Sequence, residues 1–376
     1  MNSIPPIDLK RQYQLIGEEV SAAVTAVLSS GRYIGGPVVQ EFEQQFAAYT
    51  GVSEGVACNS GTDALYLALR ALNIGAGDEV ITTPFTFMAT AEAITHAGAT
   101  PVFVDIDPET FNIDITKIPP AITNKTKAIM PVHLFGHPVN MSALMDIAQA
   151  HNLLVIEDCA QATGAEWAGQ KIGSIGHIGC FSFFPTKNLG GCGDGGAVTT
   201  NDQTLAASIR RLKEHGMSDR YHHQETGINS RLDALQAAIL QIKLPYLERW
   251  NDARRQVAEN YHRLLQPVSE IVLPQELSGG RAVWNQYTIR ITKDSSNNEY
   301  RDWIRSQLQQ FGISSMVYYP LPLHLQPVYE NLGYQVGELP IVEGICHEVL
   351  SLPMFPEITL EEQEQVVYSL KDSLSL

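Results

Sequence analysis

The chain is short of cysteine patterning, of positive charge and of long apolar runs, and each shortage narrows what it does. Its five cysteines, Cys58, Cys159, Cys180, Cys192 and Cys346, are odd in number and show no C-x-x-C spacing. A disulfide framework or a zinc site is therefore not expected, and the thiols read as reduced groups in a cytoplasmic protein. Lysine and arginine number 25 against 41 aspartates and glutamates, a formal net charge of −16. That balance argues against a nucleic-acid-binding surface. No uninterrupted apolar run is long enough to span a bilayer, so no membrane partner is expected. The opening residues Met1-Asn2-Ser3-Ile4-Pro5-Pro6 lack the basic and apolar regions of a secretory signal. There are no internal repeats and no low-complexity tracts. The first strand is not followed by G-x-G-x-x-G, which speaks against a nicotinamide-dependent oxidoreductase. The glycine run at 190–196 does not end in Gly-Lys-Ser/Thr, so it is not a P-loop.

What remains is the composition of an ordinary globular protein, 44% hydrophobic and 18% charged over 376 residues, enough for two domains. Helices are expected near 16–29 and 37–49. From residue 55 short apolar runs near 55–58, 79–83, 101–105, 128–132 and 153–157 alternate with helical segments at 63–69, 89–96 and 142–151. This alternation predicts an α/β fold, a mostly parallel sheet with helices on both faces. Beyond 196 the pattern changes. A helix is expected at 205–215 and a long helical stretch at 229–265, broken near Pro245. A smaller α+β region follows, with strands at 284–291 and 315–319, a helix at 300–311 and a last helix near 360–370. The expected division is a large cofactor-binding domain over 1–250, with the N-terminal segment, and a small domain over 251–376.

Four segments carry candidate chemistry, and each alone has an ordinary reading. Asn59-Ser60-Gly61-Thr62-Asp63-Ala64-Leu65 joins a strand to a helix, whose first N–H groups and positive dipole end suit a phosphate. It also fits a plain N-cap made by Ser60 or Thr62. In Thr83-Pro84-Phe85-Thr86-Phe87-Met88-Ala89-Thr90, Phe87 either stacks on a planar ring or fills the core. Asp158 ends a buried apolar strand, where a carboxylate needs a partner. A protonated heteroaromatic nitrogen would serve, as would an arginine or a loop cap. Gln161 could hydrogen-bond a neighbouring phenolic oxygen.

Lys187 lies in Phe181-Ser182-Phe183-Phe184-Pro185-Thr186-Lys187-Asn188, beside the glycine-rich loop. Taken alone it is a surface lysine. Apolar neighbours would desolvate its amine and lower its pKa, which suits Schiff-base chemistry. A lysine amine, an acidic partner for a pyridinium nitrogen, a stacking aromatic and a phosphate cup together meet the needs of pyridoxal 5′-phosphate (PLP). Once displaced from the cofactor, Lys187 would move the substrate Cα proton as general base and acid. Ser182 would add a phosphate hydroxyl.

At these residues the chain resembles the DegT/DnrJ/EryC1/StrS family of PLP-dependent nucleotide-sugar aminotransferases. The resemblance covers nearly the whole length. It rests on NSGTDAL at 59–65, PFTFMATAEA at 84–93, VDIDPETFNID at 104–114, PVHLFGHPVNM at 131–141, EDCAQATGA at 157–165, FSFFPTKNLGGCGDGGAV at 181–198, GINSRLDALQAAIL at 227–240 and YYPLPLH at 318–324. The stretch 270–298 matches no motif.

The resemblance implies a fold-type I transferase: a large domain with a mostly parallel sheet, a smaller C-terminal α+β domain, and a homodimer with active sites at the interface. By motif, Lys187 would form the internal aldimine and Asp158 would pair with the pyridine nitrogen. Phe87 would stack on the ring and Gln161 would lie near the phenolic oxygen. Gly61, Thr62 and Ser182 would hold the phosphate, and Asn229 would reach it from the partner subunit. Arg231 is either structural or sugar-facing. Tyr319 and His324 are further candidate substrate contacts. Dehydratases of the family carry histidine in place of the lysine, so Lys187 favours transamination. Arg220-Tyr221-His222-His223 resembles a segment of members acting on 3-keto sugars, although a polar surface loop explains it equally. The implied reaction moves an amino group from L-glutamate to a nucleotide-linked keto-sugar. A 4-keto-sugar aminotransferase and a non-catalytic or regulatory protein of the same fold are the alternatives.

Overall fold

The computed structural model describes residues 3–293 and 297–374. The rest, including the first two residues of the leading segment, lies outside the described residues. Seven strands form the main sheet, in the spatial order Glu54–Cys58, Gly196–Thr200, Ile178–Ser182, Leu154–Asp158, Thr126–Met130, Glu79–Thr82, Thr100–Phe103. Only Gly196–Thr200 runs against the others.

Alternate residues of each strand feed separate cores, as the pleat requires. Val56, Cys58, Val80, Ala128, Met130, Ile156, Cys180 and Val198 pack on one face, with the helices Gly61–Ala71, Ala89–His96 and Gln203–Leu212. Ala57, Phe181 and Ala197 point the other way, under the helices Pro37–Thr50 and Ala234–Lys243. Ile81, Ile129 and Val155 do the same under Met141–His151. With both faces sealed, the carboxyl ends of the strands are left as the place where loops and chemistry gather.

A second core lies outside the sheet. It joins the three-stranded antiparallel sheet Ile271–Val272, Tyr287–Ile291 and Val349–Leu352 to the helices Leu247–Leu265, Glu299–Gln310 and Leu360–Leu374. The N-terminal segment belongs here. Ile4 is 1% exposed within this core, and its backbone bonds to Gly312 and Ser314. The helix Leu247–Leu265 runs straight through the expected 250/251 division.

Several expectations need correction. The strand expected at 315–319 is a single bridge between Met316 and Ser351, because the chain then turns away to the main sheet, where Leu323 N donates to Pro84 O. The helix expected from 229 begins at Ala234, since Asn229 bridges Glu214 and Ser230 N donates to Lys213 O. Pro245 does break it, in one tight turn at Leu244–Tyr246 before the next helix starts at Leu247. The strand expected at 284–291 starts only at Tyr287, because Asn285 N is drawn to Phe135 O. The strands Ile178–Ser182 and Gly196–Thr200 were not anticipated, nor was the helix Pro340–Glu348.

Candidate active site

Asp158, Ser182 and the turn at Ser60 all sit at the C-terminal ends of strands pointing the same way. Asp158 is 4% exposed. Its main chain is held by Asp158 N to Pro131 O at 2.9 Å and His133 N to Asp158 O at 3.0 Å. Its Oδ2 accepts from Thr90 Oγ1 at 2.8 Å and its Oδ1 from Ala160 N at 3.1 Å. Burial pushes this carboxyl up, and the two donors and the positive charge of Lys187 pull it back.

Lys187 follows a tight turn closed by Lys187 N to Phe184 O at 2.9 Å. The turn needs Gly190, where a Cβ would lie 2.3 Å from Pro185 O. Protein packed around the amine desolvates it and lowers its pKa to about 8, while Asp158 raises it in part. A lysine poised there supplies free amine near neutral pH, the form that condenses with a carbonyl.

The helix Gly61–Ala71 opens under a Ser60 cap, its Oγ accepting from Asp63 N at 3.1 Å. The cap and the phosphate cup are therefore not rivals, because Ser60 does the capping while Gly61 and Thr62 stay partly open. A Cβ on Gly61 would lie 2.7 Å from Ser182 Cβ, so the missing side chain brings the helix start against Ser182. Ser182 Oγ accepts from Phe184 N at 3.3 Å, which leaves its own proton available. Phe87 is 61% exposed, whereas Phe85 is fully buried and is the core residue of that segment. Gln161 Oε1 accepts from Phe135 N at 2.7 Å, which aims its Nε2 at Tyr319 Oη, 3.2 Å away. Burial pushes the Tyr319 phenol up, so it stays protonated. Gly61, the lysine turn, Asp158, Phe87 and Gln161 thus suit a planar, phosphorylated pyridine aldehyde.

The other candidates have different surroundings. Asn229 is exposed, its backbone bridging Glu214, and it is the side chain of the neighbouring Ser230 that accepts from Asn59 N and donates to Asp63 Oδ2. Arg231 pairs with Glu214 at 3.3 Å. Tyr221 and His222 project from the hairpin Met217–Asp219/His222–His223, Tyr221 being 78% exposed. His324 is 1% exposed with Nε2 3.2 Å from Glu343 Oε1, so a substrate contact would require that ring to leave its partner.

Three contributors went unread in the sequence. Thr86 and Thr90 lie in the segment from which only Phe87 was drawn, although their spacing puts both hydroxyls just past a strand end. Asn188 was passed over beside the lysine. His133, Glu157 and Cys159 come together behind Asp158 with potential ligand atoms within 4.8 Å of one another. They do not offer a metal site. His133 Nδ1 accepts from Val139 N, so Nε2 carries the proton and donates to Glu157 at 3.1 Å. Glu157 also accepts from the N–H groups of Gly173, Ile175 and Gly176. Burial pushes the Cys159 thiol far up, away from the thiolate a metal needs.

Residues 14–371 match the DegT/DnrJ/EryC1/StrS aminotransferase family. The chain belongs to this family. It is 48% identical to a Geobacillus stearothermophilus protein named pleiotropic regulatory protein, over 98% of each chain. It is 44% identical to the Acidithiobacillus ferrooxidans UDP-N-acetyl-3-dehydro-alpha-D-glucosamine 3-aminotransferase, over 99% of this chain and 98% of that one. The structure of Streptomyces venezuelae DesV in complex with a ketimine intermediate superposes with a TM-score of 0.95 at 41% identity, covering 99% of this chain and 98% of that one. Other matching structures were solved in PLP and PMP forms. The protein is a PLP-dependent aminotransferase with the α/β fold of that class. No helix among the described residues is long and apolar enough to cross a membrane.

Proposed function

We propose that this aminotransferase transfers the amino group of L-glutamate to the keto carbon of a nucleotide-linked sugar, at C3 of a hexose or hexuronate. The observation that carries this reading is the Lys187 amine, whose pKa desolvation lowers to about 8 while the charge of the buried Asp158 carboxylate acts against the fall. A protein that merely kept the fold would have no use for that pair. The bound cofactor supplies an electron sink for the carbanion left when a Cα–H bond breaks. The chain's own residues do the rest. Asp158 would hold the ring nitrogen protonated, and Gly61, Thr62 and Ser182 would bind the phosphate. Phe87 would cover one ring face, and Gln161 would hydrogen-bond the phenolic oxygen. Lys187 Nζ would accept the proton from the donor's Cα and, in the second half of the reaction, would give a proton to the sugar carbon that receives the amine.

The choice of C3 is supported by the relative named for UDP-N-acetyl-3-dehydro-glucosamine. The segment holding the exposed Arg220, Tyr221 and His222 also resembles one in family members acting on 3-keto sugars, and it offers a cation, a ring and an imidazole to a sugar nucleotide. Asn229 lies exposed, and so do Tyr33, Ile34 and Phe184. These fit a homodimer in which Asn229 reaches the partner's phosphate site.

The test is the absorbance of the protein with PLP before and after L-glutamate. Loss of the visible band on adding glutamate, followed by amination of a UDP-linked 3-keto sugar, supports the reading. A band indifferent to glutamate removes the donor assignment. The relative named as a regulatory protein keeps a second reading in view. In that case the band would form but no keto-sugar, 3-keto or 4-keto, would be aminated.

A further inference from the structure

Asp158 is not a bare carboxylate waiting for a cation. Its Oδ2 accepts from Thr90 Oγ1 at 2.8 Å, and Thr90 Oγ1 lies 2.9 Å from Thr86 Oγ1. All three side chains are buried, Thr86 at 3%, Thr90 at 1% and Asp158 at 4% exposed. With Asp158 in the ionised form that a pyridinium partner requires, hydroxyl chemistry fixes the direction of this chain. A hydroxyl has one proton, an ionised carboxylate has none, and the Thr90 proton is therefore given to Asp158. The Thr90 oxygen can then only accept from Thr86. The order is Thr86 O–H to Thr90 O–H to Asp158.

Local structure makes the chain rigid. Thr90 is in the first turn of the helix Ala89–His96, and its N–H bonds to Phe87 O at 3.3 Å. Both threonines are β-branched and stiff about χ1. The remaining surroundings of Asp158 would not aim it. Lys187 opposes its charge, His133 lies behind it paired with Glu157, and Cys159, Cys180 and Tyr319 are neutral neighbours held by burial. Ala160 N fixes Oδ1, so among the described residues Thr90 is the one side chain that fixes Oδ2.

We propose that Thr90, backed by Thr86, is the positioning residue that aims the Asp158 carboxylate at the cofactor's ring nitrogen. The inference rests on the assignment of Asp158 as the partner of that nitrogen. Thr90 itself touches neither cofactor nor substrate in this role. It acts through Asp158, by holding a preformed anion where a pyridinium N–H must arrive. Preorganised charge of this kind strengthens a charge-assisted hydrogen bond and avoids reorganisation when the ring binds.

The test compares two ligands on the apo-protein by equilibrium dialysis: PLP and 1-deazapyridoxal phosphate, in which C–H replaces the ring nitrogen. The parent is expected to prefer PLP. Thr90→Val keeps the shape and removes the donor. It should weaken PLP binding about tenfold or more, the scale of a hydrogen bond to a charged group, and leave the deaza ligand unchanged. Thr90→Ser, which restores the hydroxyl, should restore the preference. Equal weakening of both ligands, or of neither, overturns the proposal. A parent that binds both ligands equally overturns the Asp158 assignment instead, and the two failures are thereby told apart. If Thr90→Val does not fold, Thr86→Val is read the same way. It should give a smaller loss confined to PLP, and an equal effect on both ligands sinks the idea.

Discussion

Asn188 Nδ2 donates to Asn251 Oδ1 at 2.7 Å, joining the residue after the reactive lysine to the helix Leu247–Leu265. Asn188 uses every polar atom of its side chain. Its Nδ2 also reaches Val283 O at 3.0 Å, and its Oδ1 accepts from Asn285 Nδ2 at 2.8 Å. Asn251 passes the connection on, giving Nδ2 to Thr163 O at 3.1 Å in the loop after Asp158. Asn188→Ala would leave several buried groups unpaired, at about 1–3 kcal/mol each. The expected outcome is a loss on the order of 3 kcal/mol in urea unfolding, with weaker PLP binding because the lysine turn loosens.

The Lys187 amine carries a pH signature. Desolvation brings it to about 8, and the Asp158 carboxylate holds it from falling further. In the apo-protein, labelling of Lys187 by an amine-selective reagent, followed by mass spectrometry, should reach half its maximal rate near pH 8. Asp158→Asn removes the charge that favours the ammonium form, so the midpoint should move down. An upward movement would mean that Asp158 acts on the lysine in some other way.

Gly61 is where the proposed phosphate cup and the packing of the helix start meet. An added Cβ would lie 2.7 Å from Ser182 Cβ and 3.2 Å from Ser182 Cα. Gly61→Ala must push the helix start away from the strand end, at about 1–3 kcal/mol for overpacking. PLP affinity should fall with it if the same first turn is the proposed phosphate cup. Titration of the apo-protein with PLP checks this, and an unchanged affinity would place the phosphate elsewhere.

Local signals made much of this legible in the sequence. The strand–helix alternation up to residue 158 comes from buried runs whose alternate residues pack on opposite faces, and Ala89–His96 falls where its apolar spacing placed it. Lys187, Asp158 and the turn at Gly61 were each marked by residue types rare in their setting. The strands flanking the lysine were hidden because Phe181, Ser182, Gly195 and Gly196 read as loop chemistry, yet Gly196 is glycine because a Cβ would lie 2.3 Å from Ser60 O. The supporting hydrogen bonds were illegible for a different reason. Thr90 meets Asp158 across 68 residues and Asn285 meets Asn188 across 97, separations that no local pattern encodes. The packing of Ile4 into the C-terminal core is hidden in the same way.

Behind Asp158, Glu157 is fully buried and accepts four hydrogen bonds, from His133 Nε2 and from the N–H groups of Gly173, Ile175 and Gly176. A carboxylate without a cation is tolerable there because four donors converge on it. Two consequences separate this clamp from a metal site. Chelators should change neither the urea midpoint nor PLP affinity, as no lone pair is left for an ion. Glu157→Gln, nearly the same in shape, puts an N–H₂ where two donors already point, and leaves them facing hydrogens. Breaking a buried charged network of this kind costs about 3–5 kcal/mol. The main chain of the next residue is Asp158, bonded to Pro131 and His133. Loss of the clamp should therefore lower PLP affinity along with stability. A Glu157→Gln protein of parental stability would show that the four contacts contribute little, and that Asp158 is held by its own main-chain bonds and by Thr90 and Ala160 without them.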